Sequence, residues 1–193
     1  MTQEELDAVL ADHELWLGEK GGKRANLYGA KLDFADLTGA RLCGANLNAT
    51  NLHRAKMRNA DLNGASLNGA NLYGADLTRA NLCGVGFYDA NITRAKFDGA
   101  DLSETSFEGA RMEVGKTIIK LLRRAMRSDG YELFLWHCKE GFYIKSGQML
   151  LTIEEAAPFW EETCDNSYLK DECLDILDMF KKAVARAALG EKE

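Results

Sequence analysis

The sequence lacks most of the features that signal an enzyme or a membrane protein. Its 193 residues include one proline and three histidines, and no apolar run reaches the 18 residues of a membrane-spanning helix. Glycine motifs for nucleotides and for hydrolase nucleophiles are absent. The acidic N-terminus lacks the basic-then-apolar pattern of a secretory signal. These absences predict a cytoplasmic, non-catalytic protein with no membrane partner.

The five cysteines also lack the spacing of a metal site. No two form a C-x-x-C pair, which argues against zinc. His137 and Cys138 are neighbours on an expected strand, so their side chains should point to opposite faces and cannot act as base and nucleophile. We therefore expect free thiols, no metal, no cofactor and no catalytic residues.

What the sequence does contain is a five-residue repeat that runs unbroken from residue 25 to residue 114. The third position is apolar in all eighteen pentads, and the first is alanine in fifteen. A period of five matches neither the helix period of 3.6 nor the strand period of 2. We expect a solenoid in which first and third positions point inward and the other three point outward or form corners.

The A(D/N)LXX pattern of these pentads resembles the pentapeptide-repeat proteins. The resemblance implies a β-solenoid in which four pentads make one square coil and the coils stack into a right-handed quadrilateral β-helix. Ninety residues then give four and a half coils, about 22 Å tall at about 4.8 Å per coil. Residues twenty apart should form ladders, one of which alternates in charge: Asp36, Lys56, Asp76 and Lys96.

The repeat divides the chain into three expected segments: a capping helix with its linker (1–24), the β-helix (25–114) and a small α+β domain (115–193). Thr2 and Glu5 form a capping box. Apolar periodicity then predicts a helix over 3–19 that covers the first coil. His13 lies on the apolar face of that helix, so we expect a packed histidine and not a ligand.

The C-terminal segment predicts alternating elements. Helical spacing of apolar residues favours a helix from 117 to 127 covering the last coil, followed by strands over 131–138 and 142–145 and a short one over 148–151. Two helices should follow, over 152–163 and 167–188. Pro158 lies deep in the first of these and should kink it or delay its start. The whole arrangement looks like that of phage- or prophage-associated pentapeptide proteins, and this domain could supply a homodimer interface.

The favoured function is protein–protein interaction through the outer surface of a rigid rod. Exposed aromatic and arginine side chains often anchor protein interfaces. The candidates are the large residues expected at outward positions: Tyr28, Phe34, His53, Arg54, Tyr73, Tyr88 and Arg94.

The alternative is DNA mimicry that inhibits or protects a topoisomerase or a phage-defence nuclease. The resemblance implies it, because quinolone-resistance members of the family act on DNA gyrase. Its candidate acidic face comprises late carboxylates: Asp89, Asp98, Asp101, Glu104, Glu108 and Glu113. A mimic must reproduce phosphate charge, but the repeat carries nine bases and ten acids, a net of −1. This balance favours a protein partner, and the basic residues after the repeat do not favour direct nucleic-acid binding.

Overall fold

The computed structural model, which describes residues 1–113, 116–130, 132–146, 149–164 and 166–189, winds the pentads into a right-handed quadrilateral β-helix. Parallel bridges join second-position residues twenty apart, from Asn26 and Asn46 to Asn91 and Arg111. Each coil therefore uses four pentads, as predicted, and the charge-alternating ladder is confirmed. We number the four sides by the pentads that begin them: side 1 at residue 25, side 2 at 30, side 3 at 35 and side 4 at 40.

Backbone hydrogen bonds between coils hold the stack together. Leu27 donates its N–H to the carbonyl of Asn46 at 2.7 Å, and Asn46 donates to the carbonyl of Ala25 at 3.0 Å. The same pattern recurs on every side, so the backbone polar groups of one coil are satisfied by the next. These hydrogen bonds repeat only if every pentad has the same length, which explains why the five-residue period is strict.

The core of the rod is a column of third-position side chains. All eighteen are at most 7% exposed, and most first-position alanines are buried beside them. Thr50 replaces an alanine and is fully buried, because its hydroxyl donates to the carbonyl of Leu27 at 2.7 Å. The inward placement of first and third positions is confirmed.

The fifth position of each described pentad from Gly29 to Gly109 has a positive φ of between 53° and 75°. Glycine adopts this left-handed conformation without penalty, whereas other residues pay about 1–2 kcal/mol. Nine of these seventeen corners are glycine. The eight exceptions are Phe34, Ala49, Arg54, Asn59, Arg79, Asp89, Arg94 and Glu104.

The first helix, α1 (Gln3–Leu17), contacts the first coil. Gln3 exchanges hydrogen bonds with the backbone of Asp36, and Glu14 forms a 2.7 Å ion pair with Arg41. His13 is fully buried and accepts a hydrogen bond on Nδ1 from the backbone N–H of Ala25 at 3.0 Å. The predicted capping box, capping helix and packed histidine are all present.

Stability of the α1 cap should fall as the pH drops below about 6.5. Burial away from water lowers the pKa of His13 below its ordinary value. Above pH 6.5 His13 is neutral in the folded and in the unfolded protein, and its contribution to stability is complete. Below pH 6.5 the unfolded chain binds a proton at His13 more readily than the folded chain does, so the free energy of unfolding falls. Protonation would also remove the acceptor for Ala25. Hydrogen exchange of α1 between pH 7.5 and 5.5 measures this.

His13→Gln is the matched control, because its amide does not titrate. We expect this variant to be less stable at pH 7.5 but to lose less protection between pH 7.5 and 5.5 than the wild type. An equal pH dependence in the two proteins would contradict the assignment to His13.

The chain divides into two compact units, Met1–Thr117 and Ile118–Glu193. Short strand β1 (Arg111–Glu113) ends the repeats and pairs with the start of β2 (Lys116–Met126). In the second unit, β2 continues into an antiparallel sheet with three further strands: β3 (Glu132–Cys138), β4 (Gly141–Ser146) and β5 (Met149–Thr152).

The predicted helix over 117–127 is wrong, because this segment is strand β2. The following strand, β3, is almost wholly buried, so both of its backbone edges need hydrogen-bonding partners. Strand β4 supplies one edge and β2 the other, with two irregularities in its register. Pairing with β3 thus overrides the helical spacing of the apolar residues in β2. Tyr131, Gly147 and Gln148 of the predicted strands and turns lie outside the described residues.

Two helices cover the sheet of the second unit: α2 (Ile153–Thr163) and α3 (Ser167–Ala188). The capping box at Thr152 starts α2 as predicted, and the helix continues through Pro158, so a delayed start is wrong. The core of the unit includes Leu135, Trp160 and Phe180.

Candidate functional site

Five of the seven predicted contact residues lie together on side 2. Phe34, Arg54 and Arg94 occupy the same corner in coils one, two and four, and His53 and Tyr73 precede that corner in coils two and three. We call these five residues the aromatic–arginine face. The 20-residue coil thus converts scattered sequence positions into one continuous strip.

The side chains of the aromatic–arginine face contact one another along the rod. The Phe34 ring meets His53 edge-on at 5.5 Å, and His53 stacks on Tyr73 at 5.2 Å with an interplanar angle of 5°. Arg94 lies over the Tyr73 ring at 5.7 Å, within cation–π range. Phe34 is nevertheless 60% exposed. The strip is therefore both preorganised and accessible.

Backbone conformation also distinguishes this corner. Three of its four residues are Phe34, Arg54 and Arg94, each held at φ between 53° and 60°, and only Gly74 is glycine. No other corner carries so many large side chains, since the remaining non-glycine residues are spread over the other three sides. The fold requires the left-handed backbone at every corner, so each large residue that takes the place of glycine there adds strain.

The four sides differ in charge although the rod as a whole is nearly neutral. Sides 1 and 4 each carry a net of −2, and side 3 carries +1. Side 2 is the most positive, at +2, with Lys31, Arg54, Arg94 and Arg111 against Asp33 and Glu113. The carboxylate of Asp33 already accepts a hydrogen bond from Asn51 at 3.2 Å. The aromatic–arginine face therefore lies on a basic side.

The other two predicted contact residues, Tyr28 and Tyr88, share side 1 but lie three coils apart. Tyr28 is 67% exposed and Tyr88 51%. Asn48 and Asn68 separate them and are joined by a hydrogen bond from the Asn68 N–H to Asn48 Oδ1 at 2.9 Å. These tyrosines form no continuous surface with each other.

The six candidate acidic residues are distributed around all four sides. Asp89 and Glu108 lie on side 1, Asp101 and Glu104 on side 4, Asp98 on side 3, and Glu113 ends β1 on side 2. These residues are close together in the sequence, but the coil places them on different sides of the rod. Only the pairs on sides 1 and 4 are neighbours.

A pocket of about 200 Å³ opens at the Phe34 end of the aromatic–arginine face. Its lining includes Gln3 and Leu6 of α1 together with Lys31, Leu32 and Phe34 of the first coil. Sequence reasoning missed this pocket, because it depends on where α1 lies on the coil. The stacking of His53 on Tyr73 was detectable, since the two residues are twenty apart.

In the second unit, a separate pocket of about 340 Å³ lies between the sheet and its helices. Phe142, Ile153 and Val184 form its apolar part, and Glu154 and Lys181 line it as well. Phe142 also stacks on His137 at 4.6 Å. The predicted site residues contribute nothing to this pocket.

Two of the thiols, Cys43 and Cys173, are poorly suited to nucleophilic chemistry. None of the five cysteines, all of which lie among the described residues, forms a disulfide. Burial raises the pKa of Cys43 to about 11 and also raises that of Cys173. Because the thiolate is the nucleophile, both residues are almost entirely protonated at neutral pH.

Comparison with known proteins places the repeats in a family. The pentapeptide-repeat family model matches eight copies over residues 25–64, 50–87, 60–99 and 87–113. No curated protein matches the chain. In the part of the chain that the structure describes, every helix is too short or too polar to cross a membrane.

Solved structures similar to this chain are also pentapeptide-repeat proteins. One from the thylakoid lumen of Arabidopsis thaliana is 31% identical, with 45% of this chain and 60% of that chain covered and a TM-score of 0.44. Rfr23 from the cyanobacterium Cyanothece 51142 is 39% identical, with 46% and 54% covered and a TM-score of 0.31. HetL from Nostoc sp. strain PCC 7120, involved in heterocyst differentiation regulation, is 28% identical, with 49% and 62% covered and a TM-score of 0.27.

This chain thus spans less than two thirds of the length of each of these three relatives. The matched segment coincides with the four-sided coils, their inward leucines and their left-handed corners. Residues 25–113 are thus a run of pentapeptide repeats.

Proposed function

We propose that the protein is a non-catalytic interaction module of the cytoplasm that binds another protein through the aromatic–arginine face. One observation carries the proposal: large side chains occupy a left-handed corner on one side of the rod and form a continuous strip with two partly exposed stacked rings. Interfaces concentrate their binding energy in such aromatic and arginine anchors. Because the rod is rigid, little conformational entropy is lost on binding.

Phe34→Gly and Tyr73→Asn should each weaken partner binding at least 30-fold, which corresponds to about 2 kcal/mol. Both changes suit the fold, since glycine occupies nine equivalent corners and asparagine occupies Tyr73's pentad position elsewhere in the rod. Phe34→Gly should even leave the rod equally or more stable. Full-length protein serves as bait in lysate of the source cells, and the captured protein is then titrated against each variant.

Tyr28→Asn is the matched control, because it makes the same change at the same pentad position on side 1, where the tyrosine is 67% exposed. The control should bind the partner as tightly as the wild type. A partner that binds all variants equally, or that is lost with Tyr28→Asn, would refute the aromatic–arginine face as the contact surface.

DNA mimicry is the second candidate, and one observation favours it. Asp89, Asp101, Glu104 and Glu108 lie on adjacent sides 4 and 1, which carry a net of −2 each. Duplex DNA presents about 13 phosphates over the 22 Å height of the rod, at one charge per about 1.7 Å. A net of −4 falls well short of that density. Duplex DNA that displaced the captured partner would nevertheless support the mimic.

A further inference from the structure

We infer that the partner presents an extended acidic segment to the aromatic–arginine face, lying parallel to the axis of the rod. The inference rests on the proposed function and names the chemistry of the partner at the same site. Side 2 is the most positive of the four sides, and its positive charge favours an acidic partner.

The cations of the aromatic–arginine face are spaced to meet more than one carboxylate. Arg54 and Arg94 occupy the same corner two coils apart, which is about 9.6 Å at about 4.8 Å per coil. A polyproline-II segment advances about 9.3 Å in three residues and returns every third side chain to the same face. Acidic residues three apart on such a segment would therefore match the spacing of the two corner backbones, from which both arginine side chains extend toward the coil between them.

The corner between these two arginines is a glycine. Gly74 holds the corner in the coil between them and has no side chain, and Arg54 packs against that corner. A Cβ atom added at Gly74 would lie 3.4 Å from Cγ of Arg54. The glycine thus gives Arg54 room to lie along the corner, while Arg94 lies over the ring of the adjacent Tyr73.

A third contact lies at the Phe34 end of the face. The pocket of about 200 Å³ there is lined by Lys31 and Asp33 on the coil and by Leu6 and Gln3 on α1, and the Asp33 carboxylate accepts a hydrogen bond from Asn51 at 3.2 Å. It can hold one side chain of the bound segment and place it beside a further cation. Lys31, Arg54 and Arg94 together span four coils, so a segment of five or six residues is long enough to meet all three.

Single-stranded nucleic acid, another extended polyanion, fits the face less well. Bases bind such proteins by stacking on exposed aromatic faces. His53 and Tyr73 already stack on each other at 5.2 Å, whereas an inserted base needs about 6.8 Å between rings, twice the 3.4 Å stacking distance. Arginine pairs with phosphate as well as with carboxylate, so it is the closeness of the His53 and Tyr73 rings that favours an acidic peptide over a single strand.

Two fluorescein-labelled peptides test the inference on the full-length protein: Gly-Glu-Ala-Leu-Glu-Ala-Leu-Glu-Gly, and the same peptide with lysine for each glutamate. We expect the acidic peptide to bind at least ten times more tightly by fluorescence anisotropy at low salt. The double variant Arg54→Gln/Arg94→Gln should lose at least tenfold of that affinity. Arg79→Gln is the matched control, since Arg79 is an exposed left-handed corner residue of side 3, and it should change affinity less than twofold.

Three results would overturn the inference: no binding of the acidic peptide, equal binding of the lysine peptide, or equal losses in Arg79→Gln and the double variant. A 12-nucleotide oligothymidine that bound more tightly and displaced the peptide would also overturn it. The proposed function is tested separately with the captured partner. If Phe34→Gly releases that partner but Arg54→Gln/Arg94→Gln does not, the interaction face stands and the acidic chemistry is wrong.

Discussion

Replacing Phe87 with alanine is expected to destabilise the upper coils of the rod by about 3–5 kcal/mol. Phe87 is fully buried and stacks on Phe107 at 5.0 Å, and Phe97 meets both rings edge-on at 6.1 Å. Alanine would leave a cavity and also remove aromatic contacts worth about 0.5–1.5 kcal/mol. Hydrogen exchange of the amides in coils three to five, followed by mass spectrometry of the full-length protein, measures the loss.

Phe87→Leu is the matched control, because leucine fills the equivalent position in the coils below, at Leu27, Leu47 and Leu67. Leucine keeps most of the buried apolar volume, so this change should cost about 1 kcal/mol. If leucine and alanine cost the same, the three phenylalanines would not be packing as a unit.

The repeat domain was predictable because one local rule generates it. A five-residue pattern repeated eighteen times leaves few backbones that return every fifth residue to the same environment. The resemblance to a known family then supplied the four-sided coil, which the ladders from Asp36 to Lys96 confirm. The eight non-glycine residues at left-handed corners were visible only as departures from the pattern, and the structure gives those departures a physical meaning.

The second unit was harder to predict because its elements depend on distant partners. The segment Lys116–Met126 has helical spacing of apolar residues but forms a strand, since β3 needs a second hydrogen-bonded neighbour. By contrast, α2 and α3 begin at strong local caps, Thr152 and Asn166, and their bounds follow from the sequence. The helices that begin at local caps could be predicted from the sequence, whereas the strand that depends on pairing with another strand could not.

The candidate site shows the same division. The contact residues were chosen as outward exceptions to the repeat, and five of them share one side because the coil length is 20 residues. The acidic residues were grouped by sequence proximity, and the coil disperses them for the same reason. Net charge also misleads when it is counted along the chain, because a rod with a net of −1 has sides that range from −2 to +2.

Replacing Phe180 with alanine should destabilise the second unit by about 3–5 kcal/mol. Phe180 is fully buried in the core that also contains Trp160 and Leu177. Its neighbour Met179 is 38% exposed, so Met179→Ala is the matched control and should change stability by less than about 0.5 kcal/mol. Hydrogen exchange of the α3 amides in the full-length protein measures both, and equal effects would contradict the assigned core.

Phe180→Ala and Phe34→Gly together test which unit binds the partner. If the aromatic–arginine face carries the interaction, Phe180→Ala should still capture the partner at a temperature where its α3 amides exchange freely, whereas Phe34→Gly should not capture it although its fold is intact. The opposite result, with capture lost in Phe180→Ala and kept in Phe34→Gly, would transfer the binding function to the second unit.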